Sequence, residues 1–427
     1  MLKISFTELP PDFKNRALQW AAGFVHCAYF EHNDMQQAAP GCFGRLLAVS
    51  ATATPATTLA NLADLDKSQS SGAPFCGFIT YDAKNEIEAL TSSNFDGFDW
   101  PVLHFFHPET WLRWQADCVT IEGNTDGVLA AILTTEPLAT TTDLSPVLPA
   151  LQARMPGPDY LQTVEQVRED ILKGEVYELT LCQEFYAENV VIDPIATFWK
   201  LNMTSPAPFA GFVRHHSHYL ICASPERFIA NCEGIITSQP IKGTRRRGLT
   251  PADDEAQRLA LFHDEKERAE NLMIVDLVRN DLARVAKTGS IRVPELFGTY
   301  GFRNVWQMIS TVEADLRPGV GLADCLRAAF PMGSMTGAPK IRAMQLIEHY
   351  ERSRRGLYSG SIGYGWPNGD FELNVVIRSL QYRADTGYLS FQVGSAITYD
   401  SDSEREYEEC LLKAKSILEA LGTTIAS

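Results

Sequence analysis

From Tyr160 onward the chain runs through short segments rich in β-branched and aromatic residues, interrupted by only four amphipathic stretches, and this irregular order restricts the fold more than any other feature. Strand-like runs fall at 176–185, 209–213, 219–223, 360–365, 374–382 and 389–393. Helical periodicity marks 160–173, where Val164, Val167 and Ile171 share a face and Gly174 supplies a stop, and then 254–285, 339–351 and 403–421. A doubly wound nucleotide fold needs a helix after nearly every strand, and these helices are too few and too unevenly spaced. The pattern predicts an α+β protein dominated by its sheets.

Before Tyr160 the chain carries strand-like runs such as 75–81 but no cluster of residues equipped for chemistry. Two Thr/Ala/Pro-rich stretches, 51–58 and 134–146, break the hydrophobic patterning and read as loops or a linker. The second sets an expected boundary between an N-terminal structural or regulatory region, 1–145, and a catalytic region, 146–427.

A net charge of −16 opposes a nucleic acid or an anionic membrane as the main partner, because a phosphate field would repel the chain. A small anionic substrate stays compatible, provided that local cations or a bound metal offset the global sign. No apolar run reaches the roughly 18 residues of a membrane span, and Met1-Leu2-Lys3-Ile4-Ser5 lacks the apolar core of a secretory signal. A cytoplasmic location is expected. The nine cysteines are scattered and never spaced Cys-x-x-Cys, which predicts reduced thiols rather than disulfides or a zinc site.

Two acidic helix starts mirror each other. Glu267-Arg-Ala-Glu270 and Glu406-Tyr-Glu-Glu409 each place two carboxylates one helical turn apart on the same face. Either the first glutamate of each pair closes a capping box with Asp264 or Ser403, or the two helices face each other and offer hard oxygen ligands to Mg²⁺. Lys242 lies between an apolar strand end and a Gly-Thr turn, in Ser238-Gln-Pro-Ile-Lys242-Gly-Thr244, and is either semi-buried or part of a basic surface loop. Glu226, in Ser224-Pro-Glu226-Arg-Phe228, follows a strand. The loop 330–340 reaches a helix start at Pro339, where free backbone N–H groups can meet an anion. Arg214-His-His-Ser-His218 lies between two strand-like runs and reads more simply as a polar hairpin loop than as a metal site.

Taken together these segments resemble the chorismate-utilising enzymes, which include the anthranilate, aminodeoxychorismate, isochorismate and salicylate synthases. The likeness runs from about Tyr160 to Leu421. It rests on long motifs in the family's order: Ser224-Pro-Glu-Arg-Phe228, Pro240-Ile-Lys-Gly-Thr-Arg245, Glu267-x-x-Glu-Asn-Leu-Met-Ile-Val-Asp-Leu-Val-Arg-Asn-Asp281, Gly337-Ala-Pro-Lys340, Arg355-Gly-x-Tyr358, Ile377-Arg-Ser379, and Asp400-Ser401 ahead of Glu406-x-x-Glu409. The resemblance implies two packed antiparallel β-sheets with helices outside, an active site between the sheets, and Mg²⁺ held by Glu267, Glu270, Glu406 and Glu409. By motif position Tyr358, Arg378, Gly394 and Ser395 would meet the enolpyruvyl side chain and its carboxylate, with Thr244 and Lys413 also near the substrate. The planar fork of an arginine suits a two-point carboxylate contact.

Lys242 discriminates within the family, whose anthranilate, isochorismate and salicylate members carry alanine there while the aminodeoxychorismate synthases carry lysine. Members that use water have a lysine where Glu178 stands in this sequence, and the Leu-Leu-Glu-Ser stretch of the tryptophan feedback site is absent. The resemblance therefore implies ammonia added at C4 of chorismate, for p-aminobenzoate and folate synthesis. Neutral Lys242 would be the covalent nucleophile, placed closer to the metal than to any unpaired acid, and Glu226 would protonate the departing hydroxyl. A separate glutamine amidotransferase subunit would deliver the ammonia. Two departures stand out: Gln307 occupies the family's usual histidine position, and Gly394-Ser-Ala396 replaces Gly-Ala-Gly. The rival readings are anthranilate synthase component I, adding ammonia at C2 with loss of pyruvate, and a catalytically impaired homologue that binds the amidotransferase.

Overall fold

The computed structural model describes residues 1–35, 40–51, 58–68, 72–137 and 148–426. Among them two antiparallel sheets pack against each other, one of twelve strands and one of ten, with helices on the outer faces. The larger sheet is centred on the neighbours His26–Glu31, Phe209–His215, His218–Ser224, Ser379–Arg383, Tyr388–Ile397 and Glu178–Ala187. The smaller runs from Ile241–Arg246 through Val305–Asp315, Ile235–Gln239, Arg227–Cys232, Phe371–Asn374 and Ser361–Gly365 to Phe75–Ile79 and Leu103–Phe106.

The period-2 alternation of a strand sets the layers. Within His26–Glu31, Cys27 and Tyr29 enter the core on the helix side, while Ala28 and Phe30 enter the core between the sheets. Phe75 and Ile79 likewise face the helices that cover the smaller sheet, and Cys76 and Phe78 face the larger one. Gly211 marks the close approach, since a Cβ there would meet the Ile362 side chain at 2.4 Å.

The expected boundary near 145 lies outside the described residues, as do 52–57 of the first Thr/Ala/Pro-rich stretch. The two regions do not have separate cores. His26–Glu31 pairs with Phe209–His215, and Phe75–Ile79 pairs with Ser361–Gly365. One apolar cluster runs from Ile4 and Phe13 through Tyr160 to Leu421. An unpaired sheet edge exposes a row of backbone groups, and the N-terminal strands satisfy the edges that the later strands leave. The division into 1–145 and 146–427 separates sequence patterns, not folding units.

The stretch 254–285 is two helices, Pro251–Phe262 and Glu265–Ala283. Asp264 breaks the run because its carboxylate accepts the N–H groups of Lys266 and Glu267 and caps the second helix. The helix Ser403–Leu421 starts behind Asp402, which accepts the Arg405 N–H, and stops at Gly422 in the left-handed region. It packs on Gly157–Leu172, Pro194–Thr204 and Tyr388–Ile397. These two long helices bring the acidic pairs to one cavity.

Candidate active site

The cavity measures about 840 Å³, a size suited to a small organic substrate, and lies among Ile241–Arg246, Glu265–Ala283, Tyr388–Ile397 and Ser403–Leu421. Glu226, Lys242, Thr244, Tyr358, Arg378, Gly394, Ser395, Lys413 and the glutamates 267, 270, 406 and 409 all line it, as does Gln307. The residues that the resemblance assigns to substrate, catalysis and metal therefore converge on one space.

Lys242 is brought there by an irregular strand. The pairing of Ile241–Arg246 with Val305–Asp315 shifts register between Ile241 and Thr244. Gly243, at φ +94, sits in that break, and a Cβ on it would lie 3.2 Å from Glu267 Oε2. The ammonium of Lys242 donates to Glu178 Oε1 at 2.5 Å, with both side chains nearly buried. Burial pushes its pKa down, but Glu178, Glu270 and Glu226 together hold it above the ordinary lysine value. This corrects the expectation of a neutral lysine kept away from acids: the resting group is an ammonium with a carboxylate beside it.

Glu226 follows His218–Ser224 and is fixed by its own turn, since the Ser224 hydroxyl accepts the Glu226 N–H at 3.2 Å. Burial raises its pKa to about 7, against the opposing effects of the Ser334 hydroxyl, the Ile241 backbone and Lys242. Ser334 Oγ donates to Glu226 Oε1 at 2.7 Å. A carboxyl so placed carries a proton near neutrality and can give it up.

The glutamates are not spent on capping. Asp264 and Asp402 cap the two helices, so Ser403 does not, and Glu406 instead accepts from the Ser401 hydroxyl at 2.8 Å. Burial raises the pKa of Glu267, and raises that of Glu270 to about 7. Lys413 donates to Glu409 at 2.6 Å and to the Gly394 carbonyl at 2.7 Å. Lys266 is perturbed by all four carboxylates, which together overcome the effect of its burial and raise its pKa. No three of the four bring carboxylate oxygens within 4.8 Å of one another, as an all-protein cage would. Hard oxygen donors at wider spacing fit Mg²⁺, which retains several of its waters.

Arg378 stands at φ +51, and burial lowers its pKa. Among the described residues no carboxylate or carbonyl is recorded within hydrogen-bond or ion-pair reach of its guanidinium. A desolvated, uncommitted guanidinium on a cavity wall is suited to receive a carboxylate. Tyr358 OH takes a long contact from Cys182 Sγ at 3.9 Å, and Ser395 Oγ lies 3.3 Å from Tyr160 OH. Gly394 is required by close strand approach, since a Cβ there would meet Cys182 Sγ at 2.4 Å. Gln307 is buried beside Thr244 in the sheet, and its Oε1 has no partner among the described residues.

Other motif residues hold the walls. Arg227 grips Glu372 through two bonds of 2.6 and 3.0 Å. Lys340 reaches Asp281 at 2.6 Å and the Ala329 carbonyl at 2.9 Å, which ties the 330–340 loop to Glu265–Ala283. Arg355 is buried against Glu351, and also donates to the Met335 and Thr180 carbonyls. Ser334, Lys266 and the pairing of Glu178 with Lys242 were not legible from the motifs, because each depends on segments far apart in sequence.

The sequence pattern of the chorismate binding enzymes matches residues 14–419. The chain belongs to that family. Among its relatives, an aminodeoxychorismate synthase of Streptomyces pristinaespiralis is 43% identical over 277 residues, covering 64% of this chain and 38% of that protein. Aminodeoxychorismate synthase component 1 of Bacillus subtilis (strain 168) is 33% identical over 360 residues, 81% of this chain and 76% of the relative. The chain thus spans less than two fifths of the Streptomyces protein's length. Among solved structures, anthranilate synthase component I from Streptococcus pneumoniae TIGR4 superposes with a TM-score of 0.75 at 26% identity, over 97% of this chain and 91% of that one. This superposition and the two packed sheets bear out the α+β architecture that the resemblance implies.

Proposed function

We propose that this chorismate binding enzyme acts as aminodeoxychorismate synthase component I, converting chorismate and ammonia to 4-amino-4-deoxychorismate for p-aminobenzoate and folate synthesis. The observation that carries this reading is Lys242, which lines the cavity beside Glu226 and is paired from behind with the buried carboxylate of Glu178.

The residues supply each proton the reaction moves. Glu178 takes a proton from the Lys242 ammonium, freeing a lone pair. Nζ attacks C2, the ring double bond shifts, and the C4–O bond breaks as Glu226 protonates the departing hydroxyl to water. Ammonia then attacks C4, the double bond returns, and the C2–Nζ bond breaks. The new C4 ammonium returns a proton to Glu226, and Glu178 reprotonates the released lysine. Arg378 holds a substrate carboxylate, and the Gln307 amide hydrogen-bonds the hydroxyl where relatives use imidazole. Mg²⁺, held by Glu267, Glu270, Glu406 and Glu409, would supply positive charge to the ring carboxylate when bound.

Ammonia would come from a separate glutamine amidotransferase subunit. We place the reaction in the cytoplasm, in keeping with nine free cysteines; no helix among the described residues is long and apolar enough to cross a membrane. The testing assay combines the purified chain, chorismate, Mg²⁺ and an ammonium salt, and identifies the product by mass. The proposal predicts a product that keeps the enolpyruvyl group. Fluorescent anthranilate with released pyruvate would replace the proposal with the C2 reaction, and absence of any turnover would leave the impaired homologue.

A further inference from the structure

We propose that His26, His104 and His215 form a second metal site, outside the active-site cavity, that takes a Zn²⁺-class transition metal and ties the two sheets together. The strand alternation that fills the inter-sheet core directs all three rings into it. His26 shares parity with Ala28 and Phe30, His215 with Val213, and His104 with Phe106, all members of that core. His26 and His215 are direct register partners in the larger sheet, and His104 belongs to Leu103–Phe106 in the smaller one. The hairpin between His215 and His218 is present as the sequence suggests, and it delivers His215 to residues 111 and 189 positions away along the chain.

The ring centroids lie 4.9 Å apart for His26 and His104, 5.1 Å for His26 and His215, and 4.3 Å for His104 and His215. One ring nitrogen from each falls within 4.8 Å of the other two, and no other trio of His, Cys, Asp or Glu among the described residues does so. His26 is 0% exposed and His104 6%. Both nitrogens of His26, Nε2 of His104 and Nδ1 of His215 are buried without a hydrogen-bond partner among the described residues. Buried polar atoms are almost always paired, and three unpaired imidazoles meeting at one point share the simplest remedy, a common cation. A neutral imidazole keeps one ring nitrogen with a lone pair free to ligate.

Neutral imidazole donors select Zn²⁺, Cu²⁺, Ni²⁺ or Co²⁺ over the Mg²⁺ suited to the carboxylate cavity. Zn–N bonds of about 2.0 Å in a tetrahedron place nitrogens roughly 3.3 Å apart, so closure around an ion needs ring shifts of about 1 Å. The exposed turn residue His216 and half-buried His215 leave an access route for the ion and for a water as fourth ligand. The guanidinium of Arg214, next to His215 in the chain, is engaged by the carbonyls of Ala22 and His216.

Co²⁺ serves as the probe, because tetrahedral nitrogen coordination gives visible bands far more intense than those of an octahedral oxygen site. The full chain, stripped with chelator and titrated with Co²⁺, should bind one ion per chain with intense bands that Zn²⁺ abolishes. His104→Gln and His215→Gln should each weaken the binding by about 10-fold to 100-fold, by analogy with loss of ordered metal-site partners. His215 lies at the half-buried end of its strand, so His215→Gln keeps a folded protein by circular dichroism even if His104→Gln does not. Glu270→Gln, which alters the cavity carboxylates, should leave the bands unchanged. Absence of intense bands, bands that survive in folded His215→Gln, or bands lost in Glu270→Gln would each overturn the proposal.

Discussion

The contrast between Lys242 and Glu226 shows how burial and neighbours divide labour between two groups on one cavity wall. Both are buried, yet Glu178 keeps Lys242 charged while Glu226, with one hydroxyl donor, stays protonated up to about pH 7. The acid role requires the protonated form. We therefore predict that kcat/KM falls roughly tenfold per pH unit above about pH 7, and that Glu226→Gln abolishes the fall along with most of the activity. A wild-type profile flat to pH 9 would remove Glu226 from that role. Arg378 yields a second prediction: Arg378→Lys raises KM for chorismate by about 10-fold or more, because an ammonium cannot form a two-point carboxylate contact. An unchanged KM would place the substrate carboxylate elsewhere. The residue types at these positions were legible from motifs, but their protonation states were not, since Glu178 is 64 positions from Lys242.

At the scale of elements, periodicity and caps located the long helices well, and the termini of Ser403–Leu421 match the sequence reading. The break at Asp264 was missed because apolar periodicity continues through it, and only the cap geometry reveals two helices. Pro194–Thr204 and Leu322–Ala329 were missed because short, largely buried helices resemble strands in composition. The motif Arg355-Gly-x-Tyr358 shows a different limit: the resemblance assigns a role to Tyr358 and none to Arg355, which is a structural tie. Its guanidinium is 1% exposed and paired with Glu351, whose carboxylate also accepts the Cys182 N–H. We predict that Arg355→Met destabilises the protein by about 3–5 kcal/mol, since it leaves a buried carboxylate without its partner. Denaturant unfolding monitored by fluorescence measures this, and a loss below 1 kcal/mol would show that Glu351 finds another partner or a proton at little cost.

For the whole molecule, the N-terminal strands belong to both sheets, a fact hidden from sequence because strand pairing joins segments hundreds of residues apart. The same long-range assembly buries carboxyl groups at a cost that depends on pH. Glu226 has a folded pKa raised from 4.5 to about 7, so the unfolded chain loses this proton first as pH rises. Its contribution is present below about pH 4.5 and is lost through pH 7, amounting to about 3 kcal/mol at about 1.4 kcal/mol per unit. Glu270 adds a shift of the same sign. We predict that Mg²⁺ at pH 7 raises Tm and releases protons, and that Glu267→Gln and Glu409→Gln weaken both effects while staying folded. Identical Mg²⁺ responses in wild type and both variants would separate these carboxylates from the metal.

In the proposed reaction Lys242 becomes covalently bonded to the substrate. The direct measurement is intact-protein mass after incubation with chorismate and Mg²⁺ in the absence of ammonia, followed by peptide mapping. We predict a species equal to the protein plus chorismate less one water, mapped to Lys242, formed much more slowly in Glu178→Gln and discharged as 4-amino-4-deoxychorismate when ammonium is added. No adduct after trapping, together with wild-type product formation by Lys242→Ala, would contradict it.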